Sequence, residues 1–431
     1  DLFQGLAVWE DEKYRKLQGT YPVISLSFAN VKERTYQTTV QRICQIITDL
    51  YHDCRFLLHG ELLSQEEKNY FQNITETMPE VTATMAIHRL AKFLYAYYGK
   101  KVIILLDEYD TPMQEAYVNG YWDELVSFTR SMFNATFKTN PYLERAVMTG
   151  ITRVSKESIF SDLNNLSVIT TTSEKYRDAF GFTEEEVFAA LDEFHLSEQK
   201  EKVKQWYDGF TFGSLSDIYN PWSIINFLST GKLGAYWANS SSNSLAGKLI
   251  REGSSDIKQK FEDLLLGRHL ITVLDEQIVY NQLEMDEEAL WSLLLASGYL
   301  RVVSCESYEE KGLSGSAWED DDFSEPKYEL TLTNLEVKRM FRAMIRTWFG
   351  QEKSNYNAFI KALLLDDVKA MNIYMNKVAL TTFSYFDTGK NPSGEEPERF
   401  YHGFVLGLMV ELAERYVLTS NRESGFGRYD V

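Results

Sequence analysis

Short, mainly apolar runs are the first pattern along the chain, and Val102–Leu106 is apolar throughout. They occur at Pro22–Phe28, Val102–Leu106 and Arg145–Ile151, and a weaker one occurs at Ser167–Thr172. Runs of this length between polar or turn residues predict strands with both faces buried.

Between these runs, apolar residues recur every three or four positions, which predicts amphipathic helices. Val40–Tyr51, Ile87–Tyr97 and Trp122–Phe133 follow this spacing, and Gly99 is placed to end the second helix. Alternating strands and helices predict a parallel sheet with helices on both faces. Residues 1–180 are therefore expected to form one α/β domain.

The pattern becomes mainly helical after Gly181. Thr183–Glu186 has the capping-box sequence of a helix start, and residues 181–280 are expected to form a helical lid region. Residues 281–350 predict a helix, two strands joined by a long acidic loop and a final helix, which resembles a winged-helix module. Residues 351–431 predict further helices and a strand at the end of the chain.

The composition of the chain argues against several classes of protein. The chain has 431 residues, 44% of them hydrophobic, so it has ample material for folded domains. Its formal net charge of −19 disfavours non-specific nucleic-acid binding unless a local basic patch or a metal assists. Three cysteines imply no disulfide framework and favour a reducing compartment. Apolar runs are too short to cross a membrane, and a cytoplasmic location is expected.

The sharpest chemical signal is Val102–Glu108, an aliphatic strand that ends in Asp-Glu. This is the Walker B pattern, in which Asp107 would hold Mg²⁺ and Glu108 would orient and deprotonate the attacking water. The alternative is a buried strand that ends in a polar turn. Asp110 adds a third carboxylate, but it could equally cap the next helix before Pro112.

A phosphate-binding loop of the form G-x-x-x-x-G-K-[ST] should accompany this strand, but none of the four Gly-Lys pairs fits it. At the end of the next strand, Thr149 could sense a γ-phosphate and Arg153 could stabilise phosphoryl charge. The alternative is a strand end followed by a solvated arginine.

Near the C-terminus, Glu398 and His402 share a helix face, and Asp430 follows a glycine-rich turn. Paired acids of this kind can hold a divalent metal for phosphodiester hydrolysis. The alternative is a surface pair beside an unrelated acid.

Long strings of the sequence resemble one family, the predicted AAA-type ATPases with a C-terminal PD-(D/E)XK nuclease-like domain. The strings that carry the resemblance are V-I-I-L-L-D-E-Y-D-T-P (102–112), T-G-I-T-R-V-S-K-E-S-I-F-S-D-L-N-N-L (149–166), Y-N-P-W-S-I (219–224), Y-W-A-N-S-S-S-N (236–243), E-R-F-Y-H-G-F-V-L-G-L (398–408) and S-N-R-E-S-G-F-G-R-Y-D-V (420–431).

This resemblance implies a P-loop NTPase sheet that uses ATP and Mg²⁺, with Asp107 and Glu108 as the Walker B acids. It places Thr149–Arg153 at the sensor strand and matches Glu398 and Asp430 to the first two acidic positions of the nuclease-like core. His402 matches a recurrent family position of unassigned role. The resemblance also implies a metal at Asp107 and at Glu398 with Asp430.

Two departures follow from the same comparison. The family's Walker A loop precedes the segment that matches Asp1–Trp9, and its nuclease E-x-K follows the strand that ends at Asp430-Val431. The chain is therefore expected to be truncated at both ends and inactive alone. The ATPase sheet would lack its first strand, which lies inside the sheet in this class, so we expect a gap in the sheet or another segment that fills it. A continuous sheet without a gap would count against the ATPase fold.

The leading hypothesis is thus an ATPase coupled to a metal-dependent nuclease, with DNA or RNA contacts through the C-terminal region. The alternative is a nucleotide-gated regulatory or scaffold protein without nuclease activity. A nucleic-acid-binding module that uses the winged helix is a third hypothesis. Protein partners or a homo-oligomer are possible under each hypothesis.

Overall fold

The computed structural model describes residues 2–151, 163, 166–238, 240, 243–274, 283, 286–306, 326–348, 359, 362–363, 367–382, 422–424 and 427–429. The chain divides into two units, described separately below. Unit 1 comprises Asp1–Val168 with Glu276–Gln282, and unit 2 comprises Ile169–Asp275 with Leu283–Val431.

Unit 1 is built on a parallel sheet of three strands, as the apolar runs predict. The strands are β1 (Val23–Ser27), β2 (Val102–Asp107) and β3 (Leu143–Met148), in the order β1-β2-β3. Ser27 lies opposite Asp107, so strands β1 and β2 end at the same level. The carboxyl ends of all three strands therefore meet at one edge of the sheet.

The helices of unit 1 agree with the predicted periodicity. Gly99 ends α5 in the left-handed conformation, with φ +66°, as expected for a C-terminal glycine. The helices are α1 (Ala7–Glu10), α2 (Glu12–Leu17), α3 (Tyr36–Asp53), α4 (Gln65–Gln72), α5 (Glu80–Tyr98), α6 (Thr111–Asn119) and α7 (Trp122–Phe133), with a 3-10 turn at Arg55–Leu58 and a π turn at Asn134–Lys138.

Among the described residues, helices cover only one face of this sheet. Ile24 and Ile104 lie on that face and are buried, and α3 contacts β1 while α5 contacts β2. On the opposite face Val23, Leu105 and Val147 are 50%, 38% and 49% exposed. The prediction of a sheet covered on both faces is therefore wrong for the described residues, because alternate apolar side chains face solvent.

The three described strands pair directly with one another, so the expected gap does not occur between them, and β3 lies at one edge. In the described part of the chain no strand pairs with its outer side. The weaker strand predicted at Ser167–Thr172 is absent. Instead the Thr170 backbone N–H donates to the Ser173 hydroxyl at 2.9 Å, a local bond that competes with strand pairing and forms a turn.

Unit 2 begins with a small antiparallel sheet of β4 (Phe182–Thr183), β5 (Phe210–Phe212) and β6 (Leu215–Tyr219) in the order β4-β6-β5. The predicted capping box at Thr183 is confirmed, since its hydroxyl accepts from the Glu186 N–H. Aromatic side chains of this region pack around a buried core. The helices are α8 (Glu184–Glu193), α9 (Lys200–Tyr207) and α10 (Pro221–Thr230), and the core includes Tyr207, Tyr219 and Phe227.

A second antiparallel sheet in unit 2 has the order β7-β9-β8. Its strands are β7 (Leu270–Val273), β8 (Leu300–Glu306) and β9 (Lys327–Leu332). The remaining described elements are α11 (Ser244–Glu252), α12 (Ser255–Leu265), α13 (Glu287–Ala296), α14 (Leu335–Trp348), α15 (Val368–Thr382) and the hairpin β10 (Arg422–Ser424) with β11 (Gly427–Tyr429). None of the described helices has the length and apolar character needed to span a bilayer.

Candidate functional site

Asp107 lies at the carboxyl end of the central strand of unit 1, and its carboxylate is exposed. Thr149, just beyond β3, donates its hydroxyl to Asp107 Oδ1 at 2.6 Å. Ser27, at the end of β1, donates to Asp107 Oδ2 at 3.1 Å. Each neighbouring strand thus supplies one hydroxyl that fixes the orientation of this carboxylate.

Glu108 follows in a left-handed backbone conformation, with φ +49°. This region is uncommon for residues other than glycine, and such strain concentrates at functional sites. The Glu108 N–H donates to the Thr149 hydroxyl at 3.4 Å, and Thr111 donates its hydroxyl to Glu108 Oε2 at 2.9 Å. The turn therefore holds the Glu108 side chain over the first turn of α6, apart from the hydroxyls that bind Asp107.

Backbone contacts join this turn to the end of β3. Thr149 donates its N–H to the Leu106 carbonyl at 2.9 Å and accepts the Tyr109 N–H at 3.0 Å through its own carbonyl. A Cβ placed on Gly150 would lie 2.6 Å from Asp110 Oδ1, so only glycine permits this close approach. Asp110 precedes α6, but its side chain makes no capping bond there and is 1% exposed.

The oxygen atoms at this edge of the sheet are of the kind that can bind Mg²⁺. Magnesium is commonly held by one or two carboxylates together with waters and substrate phosphates. Asp107, Thr149 and Ser27 present such oxygens at the exposed strand ends. Across the described residues no group of three histidines, cysteines or acids could hold a metal. The residues thus fit a Mg²⁺ that takes most of its ligands from water and phosphate.

The structure brings together the predicted residues Asp107, Glu108 and Thr149. Sequence reasoning missed Ser27 and Thr111. The sequence carried a signal for both, because Ser27 lies near the end of the apolar run Pro22–Phe28 and Thr111 lies in the string D-E-Y-D-T-P. The predicted residues Arg153, Glu398, His402 and Asp430 lie outside the described part of the chain.

A buried acid in unit 2, Glu336, contacts residues from two other strings of the family resemblance. Glu336, 1% exposed at the start of α14, accepts the Ser223 hydroxyl at 2.8 Å and the Ala238 N–H at 3.1 Å. Ser223 belongs to Y-N-P-W-S-I and Ala238 to Y-W-A-N-S-S-S-N. Burial raises the pKa of Glu336, and these hydrogen bonds partly offset that rise. The two strings therefore meet around one carboxyl group that serves packing.

A comparison with protein-family models gives a match within unit 1. Residues 1–160 match the family model of the predicted AAA-ATPases, AAA-ATPase-like. The matched residues include Asp107, Glu108, Thr149 and Arg153.

Beyond this match, the chain is similar to a protein of Azotobacter chroococcum mcd 1 named as an uncharacterized protein in the vnfD 5' region. The two are 22% identical over 343 residues, which cover 78% of this chain and 56% of the relative. The chain thus spans just over half the length of this relative. No solved structure matches the chain.

Proposed function

We propose that unit 1 carries the hydrolytic half of an ATPase site, with Asp107 as its magnesium-binding acid and Glu108 as its general base. The observation that carries this proposal is the geometry of the sheet edge. Two adjacent acids lie at the end of the central strand. The Thr149 hydroxyl donates to the Asp107 carboxylate and accepts the backbone N–H of Glu108. The family match over residues 1–160 supports the same assignment.

The residues of the site have separate roles in this proposal. Asp107, oriented by Ser27 and Thr149, would hold Mg²⁺ at the strand ends. Bound there, the ion would supply positive charge to the phosphates of ATP. Glu108 orients the attacking water and accepts its proton on the carboxylate. Thr111 holds the Glu108 carboxylate in place through its hydrogen bond to Oε2.

A phosphate-binding loop must complete such a site, and the sequence of 431 residues contains no G-x-x-x-x-G-K-[ST] pattern. We infer that this loop is carried by a strand and a helix that this sequence lacks. The outer side of β3, with which no described strand pairs, offers hydrogen-bonding groups to a strand. The sheet face that carries the exposed Val23, Leu105 and Val147 offers an apolar surface to a helix. In this proposal the chain alone binds ATP poorly.

The proposal extends to Arg153 as a source of positive charge at the transferred phosphoryl group, and to Glu398 and Asp430 as metal-binding acids of a nuclease-like domain. These roles rest on the resemblance of their sequence strings. The order β7-β9-β8, with α13 between β7 and β8, supports a winged-helix-like module in unit 2. DNA or RNA would then be the substrate of the C-terminal region.

The decisive test compares wild type, Glu108→Gln and Asp107→Asn in the full-length gene product. Glu108→Gln should lower ATP turnover by about 10²–10⁴-fold and keep Mg²⁺-dependent ATP binding, because only the base is lost. Asp107→Asn should weaken ATP binding in Mg²⁺ but not in EDTA. Unchanged turnover in Glu108→Gln would remove this residue from the mechanism.

A separate assay addresses the nuclease proposal. Mg²⁺- or Mn²⁺-dependent cleavage of DNA or RNA should disappear in Glu398→Ala and in Asp430→Ala while ATP turnover persists. If the wild-type protein hydrolyses ATP and cleaves no nucleic acid, the second candidate is favoured, a nucleotide-gated regulatory or scaffold protein.

A further inference from the structure

Helix α14 of unit 2 concentrates positive charge that the proposed ATPase site does not use. Its basic residues are Lys338, Arg339, Arg342 and Arg346, and its single acid is Glu336. We propose that α14, together with Lys202 of α9, binds the phosphate backbone of duplex DNA. The cationic surface is defined here as Lys202, Lys338, Arg339 and Arg342. It would be the local basic patch that a chain of net charge −19 needs in order to bind a nucleic acid.

The way α14 packs places its charges on the side away from the core. Val337 and Met340 are buried and mark the packed side of the helix. The four basic positions fall within roughly 100° of arc on the opposite side, because successive residues of an α-helix are about 100° apart. Arg339 is exposed, and Lys338 and Arg342 are half-buried.

The acid of the same helix does not neutralise these cations. Glu336 is 1% exposed and accepts its hydrogen bonds from the interior of unit 2. Within the described residues Lys338 and Arg339 form no ion pair. Burial lowers the pKa of Lys338, and the charge of Arg342 one turn away lowers it further. Like charges at this spacing repel each other, and a bound anion relieves that repulsion.

The adjacent helix α9 extends the cationic surface. The guanidinium carbon of Arg339 lies over the Trp206 ring, 4.6 Å from its centre. Lys202 is exposed one turn before Trp206, on the same side of α9. The other two lysines of α9 pair with acids, whereas Lys202 forms no ion pair in the part of the chain that the structure describes.

The stacked guanidinium of Arg339 is suited to a phosphate group. A guanidinium that lies flat on an aromatic ring keeps its N–H donors at the edge of its plane, and it has less side-chain freedom to lose on binding. Such a planar set of donors matches the oxygens of a phosphate. Lys338 and Arg342 add two further charges about 6 Å apart along the helix axis.

Duplex DNA is the polyanion that this surface fits best. It carries one negative charge per about 1.7 Å of its axis, so several cations on one helix face can each meet a phosphate. Helix α13, which precedes the hairpin of β8 and β9, cannot take this role, because Ala289–Leu295 are all buried. Contacts to phosphates do not read bases, so we expect binding that is independent of DNA sequence.

This inference deepens the nucleic-acid contact proposed above and rests on it, but it does not depend on ATP hydrolysis or on cleavage. The test therefore measures binding in EDTA, which removes Mg²⁺ from both proposed catalytic sites. Fluorescence anisotropy of a labelled duplex follows the affinity from about 50 to about 200 mM salt. For wild type, the logarithm of the binding constant should fall with the logarithm of the salt concentration with a slope of about −3 to −4.

Single variants test each contact. Lys338→Gln, Arg339→Gln and Lys202→Gln should each weaken binding several-fold and reduce the salt slope by about 1. Lys200→Gln is the matched control, because it removes the same charge from α9 but on the side that faces Asp192. It should bind DNA as wild type does. Equal losses in Lys200→Gln and Lys202→Gln would show that net charge, and not this surface, controls binding.

The combined variant Lys338→Gln/Arg339→Gln/Arg342→Gln should bind at least about tenfold more weakly and lose most of the salt slope. Arg339→Lys keeps the charge without the planar donors, so its slope should match wild type while its affinity falls. Unfolding temperatures near that of wild type show that these variants fold. Absence of binding by wild type at about 50 mM salt, or a wild-type slope in the combined variant, overturns the proposal.

Two other outcomes would assign the surface to a different occupant and so overturn the proposal. One is tighter binding of single-stranded DNA or RNA of the same length. The other is a changed oligomeric state of the combined variant with unchanged affinity for the duplex, which would make the surface a contact between copies of the chain. None of these results bears on the ATPase proposal, since the assay contains neither Mg²⁺ nor ATP.

Discussion

Thr149 and Asp107 are joined by a 2.6 Å hydrogen bond between the ends of two neighbouring strands. The same threonine hydroxyl accepts the N–H of Glu108. One side chain thus sets both the orientation of the first acid and the backbone of the second. The arrangement makes Thr149 a positioning residue in the site as we propose it.

Removal of this hydroxyl should loosen the edge of the sheet. We expect Thr149→Val to lower the free energy of unfolding by about 0.5–1.5 kcal/mol, because Asp107 and the Glu108 N–H each lose a partner. Chemical unfolding measures the loss. Thr149→Ser keeps the hydroxyl and serves as the matched control. Equal losses in the two variants would show that the threonine methyl group, and not the hydrogen bond, matters here.

Gly150 should tolerate no side chain. A Cβ would lie 2.6 Å from Asp110 Oδ1 and 2.8 Å from the Tyr109 ring. We expect Gly150→Ala to destabilise the protein by about 1–3 kcal/mol through overpacking. Gly99→Ala is the comparison, because its φ of +66° is strained but nothing lies within 4 Å of its Cβ. If Gly150→Ala melts at the wild-type temperature, the close approach at Asp110 is not maintained in solution.

The buried carboxyl group of Glu336 should matter more than its partner hydroxyl. Glu336→Ala leaves both Ser223 and the Ala238 N–H without an acceptor, and we expect a loss of about 2–4 kcal/mol. Ser223→Ala removes one donor and should cost about 1 kcal/mol. Urea unfolding of the two variants and the double variant measures their coupling. Equal effects of the two single variants would contradict the central role of Glu336.

The buried Glu262 on α12 predicts that the stability of the protein depends on pH. Burial raises the pKa of this group to about 8, the neighbouring Asp263 adds to the rise and Arg268 opposes it. Stability is therefore lost progressively as the pH rises from about 4.5 to about 8, since the folded state holds the proton more tightly than the unfolded chain. Glu262→Gln should raise the unfolding temperature at pH 9 and leave it unchanged at pH 5.

A surface acid provides the control for this experiment. Glu185 is exposed in the first turn of α8. Glu185→Gln should shift the unfolding temperature equally at pH 5 and pH 9. If Glu262→Gln behaves in the same way, Glu262 is charged in the folded protein at both pH values.

The sequence predicted the local elements of unit 1 well, because each depends on the spacing of apolar residues within one segment. The strand that carries Val102 and the helix that ends at Gly99 are examples. It also predicted that Thr149 and Asp107 would share an edge, which follows from parallel strands of similar length. In contrast, the hydrogen bonds of Ser27 and Thr111 were missed, because their positions are visible in the sequence but the carboxylate that each hydroxyl contacts depends on the folded arrangement.

The coverage of the sheet could not be predicted from its strands. Leu105 and Ile104 are both aliphatic, but one is 38% exposed and the other is fully buried. Which of two adjacent side chains is buried depends on what packs on each face, and that is a tertiary property.

The exposed apolar side chains of this sheet face, and the side of β3 with which no described strand pairs, also govern how copies of this chain behave in concentrated solution. Such a strand edge can pair with the same edge of another copy, and the formal charge of −19 keeps molecules apart at neutral pH. Acidification removes that repulsion as carboxylates gain protons, and screening by salt weakens it. Precipitation should therefore set in on mild acidification or at high ionic strength while the chain is still folded, so a neutral, low-salt buffer is the condition in which to purify it.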